Sequence, residues 1–118
     1  MSRNRAAVVV ALFVVFAAVA AYQVYKNEGG GGKNVRFDVT VTQGKTMQPS
    51  ELNVHENDMV TISITCDTDG EVHLHGYDIH FETKAGQTVT QKFTADKTGD
   101  FPIEWESTST ELGHFVVT

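Results

Sequence analysis

The sequence predicts an all-β sandwich carried behind one apolar N-terminal helix. Three observations point there. An uncharged run of small and apolar residues sits near the N-terminus, and a Gly-rich stretch follows it. From residue 35 onward, apolar and polar residues alternate in short runs bounded by turn residues, with no helical period.

Ala6 to Ala21 contains only Ala, Val, Leu and Phe. Tyr22-Gln23-Val24-Tyr25 extends the run to about 20 residues, the length that spans a bilayer as a helix. Arg3 and Arg5 precede it and Lys26 follows, which favours an N-terminus inside and a C-terminus outside. Ala18-Val19-Ala20 also offers a small-x-small cleavage site, so a removed signal peptide is the alternative. In both cases the remainder is exported. The expectation is a single-pass inner-membrane anchor over 1–26 with the C-terminal domain in the periplasm. Residues 27–34, including Gly29 to Gly32, form a flexible linker. The folded domain is then 35–118.

That domain reads as seven strands. Val35, Phe37, Val39 and Val41 alternate with Arg36, Asp38, Thr40 and Thr42. Leu52 and Val54 make a short strand. Val60, Ile62, Ile64 and Cys66 share a face, as do Val89, Gln91 and Phe93. Phe101, Ile103 and Trp105 alternate next, and Leu112 to Val117 closes the chain. Gln43-Gly44, Glu56-Asn57-Asp58, Asp67 to Gly70 and Lys97 to Asp100 supply turns. This spacing predicts an antiparallel sandwich, its small core carried by Trp105 and the phenylalanines.

The chemistry-bearing stretch is Gly70 to Phe81, which holds three of the five histidines. His73 and His75 are two apart on a predicted strand and so share a face. Neutral imidazole is the commonest metal-ligand side chain, and two on one face can reach one ion. His80 lies at an odd spacing and faces away on a regular strand. The apolar phase switches at Gly76, which suggests a bulge there. His114 joins a site only if the fold brings the last strand alongside, and Glu104 and Glu106 stand in the same relation. His55 precedes a turn and reads as solvent-facing.

Composition removes other classes. From Lys33 onward there are six basic and fourteen acidic residues, a balance of −8 that disfavours nucleic acid and anionic lipid. A single cysteine, Cys66, excludes an intrachain disulfide and any multi-thiolate metal site. No nucleophile elbow or phosphate-cradling loop is present.

Three patterns resemble the cupredoxin family, plastocyanin-like Greek-key β-sandwiches, many of which bind copper. They are Leu52 to Ile62; Val72-His73-Leu74-His75-Gly76-Tyr77-Asp78-Ile79; and Thr98 to Trp105 followed by Gly113-His114-Phe115-Val116-Val117. The resemblance covers 35–118 and implies His75 as a candidate ligand. It also implies that a blue-copper thiolate is missing, because Trp105 stands where the Cys belongs, and no His or Met follows before His114. Cys66, on an earlier strand, reads as a buried thiol. Met47 and Met59 read as packing residues with a soft thioether each. His-x-His also occurs in copper–zinc superoxide dismutases and in cupins. The first have ligands and a disulfide this chain lacks, and the cupin Glu falls at Ile79 or His80.

The expected function is therefore non-enzymatic. A membrane-anchored domain binds copper, or another divalent metal, through His73 and His75, with His114 and His80 as further candidates. A protein partner or a metal donor or acceptor is implied. The alternative is a metal-free interaction module tethered to the membrane, with no cofactor.

Overall fold

The computed structural model describes residues 31–118. The expected anchor or signal segment, residues 1–26, lies outside them, as does the first part of the linker. Among the described residues no helix is long and apolar enough to cross a membrane.

Nine strands form the domain: β1 (Asn34–Thr42), β2 (Thr46–Gln48), β3 (Glu51–Val54), β4 (Met59–Cys66), β5 (Gly70–Leu74), β6 (Ile79–Thr83), β7 (Gln87–Thr94), β8 (Gly99–Trp105) and β9 (Thr110–Val117). They pack as two sheets, ordered β2-β1-β4-β7 and β3-β9-β8-β5-β6. The two strands beyond the expected seven are β2, three residues long, and the second half of the histidine stretch, which is β6. The sandwich is also not wholly antiparallel. β1 runs parallel to β4, and β3 runs parallel to β9. The chain leaves β1, crosses to the second sheet at β3 and returns beside β1 in the same direction.

The alternation in each strand decides which side is buried. Val39, Val41, Val60, Ile62 and Ile64 face inward from one sheet, and Leu52, Val72, Leu74, Phe81 and Phe115 from the other. Each such side chain contributes about 1.5–3 kcal/mol by leaving water. Cys66 lies in this core, and so does Met47, whereas Met59 is exposed. Tyr77, Phe93, Phe101 and Phe115 form an aromatic group with centroids 5.0–5.6 Å apart.

Turn chemistry fixes the ends. Gln43 and Gly44 take φ of 55° and 64°, the mirror-image turn that suits the twist of a hairpin, and the Lys45 N–H donates to the Thr42 carbonyl at 2.9 Å. Trp105 fills the end of the sandwich beside this turn. A Cβ on Gly44 would stand 2.5 Å from its ring, and one on Gly70 would stand 2.3 Å from it. Both positions need glycine because the indole lies against the backbone.

Candidate metal centre

The histidine stretch is a hairpin and not one bulged strand. The chain turns over His75 to Asp78, where Gly76 has φ of 83° and Asp78 has φ of 54°. Gly76 is required, since a Cβ there would also lie 2.2 Å from the Phe101 ring. The register pairs Leu74 with Ile79, His73 with His80 and Val72 with Phe81. Residues directly opposite in an antiparallel pair point to the same side. The odd sequence spacing of His73 and His80 therefore becomes a shared face, and the phase switch at Gly76 keeps Val72, Leu74 and Phe81 in the core.

That face is the outer surface of the second sheet. The His73 and His80 rings stack with centroids 4.2 Å apart and planes within 10°. His75 lies one residue past β5, its N–H donating to the Pro102 carbonyl at 3.0 Å, and its ring is 4.2 Å from that of His73. The expected closeness of His73 and His75 is thus found, with His80 added on the other side.

Carboxylates surround the three rings. Asp78 Oδ1 lies 3.2 Å from His73 Nε2 and 3.1 Å from His80 Nε2. Glu71 hydrogen-bonds to His80 Nδ1. Glu104 Oε1 is 2.9 Å from His75 Nε2. Glu106 Oε2 stands 3.6 Å from His73 Nδ1, and that nitrogen is buried with no hydrogen-bond partner. The electrostatics follow from these contacts. The hydrogen bond to Glu71, then that to Asp78, raises the His80 pKa above its ordinary value. Hydrogen bonds from His80 and His73 hold the Asp78 carboxyl below the usual range.

The turn that delivers Asp78 is tied down. Tyr77 Oη donates to the Lys97 carbonyl at 2.7 Å and accepts from the Lys97 N–H at 2.9 Å. Lys97 Nζ donates to the Gly76 carbonyl at 2.8 Å. On the far strand, Gln91 Nε2 donates to the His80 carbonyl at 2.9 Å. The strands thus set the two stacked rings, and the aromatic group beneath sets the turn.

Donor atoms from His73, His80 and Glu106 lie within 4.8 Å of one another, a grouping able to hold a metal ion. Bonds to such an ion are about 2.0–2.2 Å for nitrogen and oxygen ligands, so the donors must draw inward. The Glu106 side chain, 43% exposed, has room to do so by a change of rotamer. The donors are imidazole nitrogens and carboxylate oxygens, so the residues fit a nitrogen- and oxygen-ligated ion.

His114 is placed elsewhere on the same outer face, opposite Pro102 on β8. Its Nδ1 is 2.6 Å from Asp100 and its Nε2 is 2.9 Å from Glu111. These two hydrogen bonds, Asp100 first, raise its pKa. His55 is exposed, with Thr118 Oγ1 3.4 Å from its Nδ1. Cys66, Met47 and Met59 belong to the first sheet, across the core or at its edge, and not to the histidine face. The sequence reading passed over Glu71 and Asp78. Glu71 was discoverable from period two alone, since Glu71, His73 and His75 alternate on one face.

No family model matches the chain, and no curated protein matches it in sequence. Solved structures do. The metal-binding domain of the Cu(I)-exporting P-type ATPase CopA from Streptococcus pneumoniae D39, with Cu(I), is 12% identical, with a TM-score of 0.63 over 76% of this chain and 91% of that one. A chain of a heme-copper terminal oxidase dimer is 14% identical, with a TM-score of 0.60 over 98% of this chain and 99% of that one. Auracyanin A, a "blue" copper protein from Chloroflexus aurantiacus, is 15% identical, with a TM-score of 0.55 over 72% of this chain and 99% of that one. Multicopper oxidases also match. At these identities the likeness concerns the fold, and with two sheets in this order the chain has the cupredoxin-like fold.

Proposed function

We propose that this protein is a membrane-tethered, exported copper-binding domain with a binding rather than a catalytic role. One observation carries the reading: the hairpin register stacks His80 on His73 in the midst of carboxylates, on a fold shared with copper-binding proteins. The donors are nitrogen and oxygen, which suit Cu(II) or Zn(II) better than Cu(I). The core-facing Trp105 occupies the place of the missing thiolate, so blue-copper electron transfer is not the role. Holding copper, or passing it to a protein partner, is. The N-terminal segment supplies the inner-membrane anchor, and the acidic domain stands in the periplasm. Equilibrium dialysis of the full-length chain in detergent against Cu(II) tests this. One saturable site at micromolar metal is expected, lost in His73→Ala/His80→Ala. Absence of saturable binding, or unchanged binding in the double variant, refutes it.

A second reading has its own support. The match to the terminal-oxidase chain covers 98% of this chain and 99% of that one. On that reading the domain is a tethered module within a larger membrane complex and needs no metal. Affinity purification from detergent extract separates the two, because a stable membrane partner retained by His73→Ala/His80→Ala protein favours the second.

A further inference from the structure

An imidazole gives one nitrogen to a metal and keeps the other as an N–H, which in metal sites is commonly held by a carboxylate. The two edges of the His73–His80 stack differ in this respect. On the Nδ1 edge each ring has a carboxylate of its own, Glu106 for His73 at 3.6 Å and Glu71 for His80. On the Nε2 edge a single oxygen, Asp78 Oδ1, meets both rings at 3.2 and 3.1 Å. Only the second edge brings two ring nitrogens to a common donor.

We infer that a metal ion bound by this cluster sits at the Nε2 edge of His73 and His80, with Asp78 as the third donor. Glu106 and Glu71 are then positioning residues that hold the Nδ1–H groups. This rests on the reading that the cluster binds a divalent metal, and it assigns the carboxylates different parts. It accounts for the buried Nδ1 of His73, which has no hydrogen-bond partner until Glu106 closes its gap. It also gives a use for the left-handed backbone at Asp78, φ 54°, which delivers the carboxylate from a turn anchored through Tyr77.

The test uses the full-length chain in detergent, loaded with Zn(II), and reads ring nitrogens by long-range proton–nitrogen NMR. The expected spectrum shows Nε2 metal-bound and Nδ1 protonated for both His73 and His80. Cu(II) titrations run beside it. Asp78→Asn, which tolerates the left-handed backbone, is expected to weaken binding by about 100-fold or more, and Glu106→Gln by about 10-fold, the scale of an orienting partner. Metal on Nδ1, or Asp78→Asn binding like the parent while Glu106→Gln fails, overturns the inference and leaves the copper-binding reading standing. Wild-type protein that takes up neither Cu(II) nor Zn(II) overturns both.

Discussion

The β5–β6 hairpin has two faces built from alternate residues of the same ten-residue ladder, and they have opposite chemistry. Inward, Val72, Leu74, Phe81 and Thr83 are buried, with Phe81 at 1% exposure. Outward, Glu71, His73, His80 and Glu82 carry every ionisable group of the two strands. The inner face contributes through area removed from water and close packing. The outer face adds less at His80, whose ring is 43% exposed beside Glu71 and Asp78, because exposed ion pairs are worth about 0–1 kcal/mol. The lesson is a division of labour across one pleat: the inner residues hold the hairpin rigid, and that rigidity presents the outer rings at a fixed spacing.

Breaking the inner face should have the largest effect on stability. Phe81→Ala should cost about 3–5 kcal/mol in a denaturant titration, by removing a fully buried ring. A smaller loss, about 1–3 kcal/mol, is expected for Gly70→Ala, whose methyl would push the Trp105 ring from its seat at the end of the sandwich. The outer face should behave differently. His80→Ala should change stability by no more than about 0.5 kcal/mol, as surface substitutions do, while metal uptake falls sharply. A large loss of stability there would mean that the stack is a folding element and not a site.

The smallest effect concerns His114. Its folded pKa is raised by Asp100 and Glu111, so the protonated ring stabilises the fold. That contribution is fully present below the unfolded value of about 6.5 and is lost as pH rises through the higher folded value. An NMR titration should place the His114 midpoint above that of an unperturbed histidine, and Asp100→Asn should bring it down. A midpoint unmoved by Asp100→Asn would show that the hydrogen bond is absent in solution.

The sandwich was legible because period-two patterning survives in strands as long as β1, β4 and β9. It failed for β2, which is too short to show a period. The parallel pairings were hidden because they join segments far apart in sequence. At the site, His73 and His75 were legible by spacing. His80 was not, because its place depends on whether the chain bulges or turns at Gly76. Tyr77 is a strand-former that concealed the turn, which the β5–β6 register and the positive φ at Gly76 and Asp78 reveal. Asp78 owes its position to that same turn, so it could not be seen until the hairpin was.

The most direct measurement is the absorption and electron paramagnetic resonance of the Cu(II)-loaded full-length chain and of His73→Ala/His80→Ala. Copper held by imidazoles on the outer face should give nitrogen hyperfine structure, no intense thiolate-to-copper band, and loss of the signal in the double variant. An intense blue band, or a spectrum unaltered by removing both rings, would contradict it.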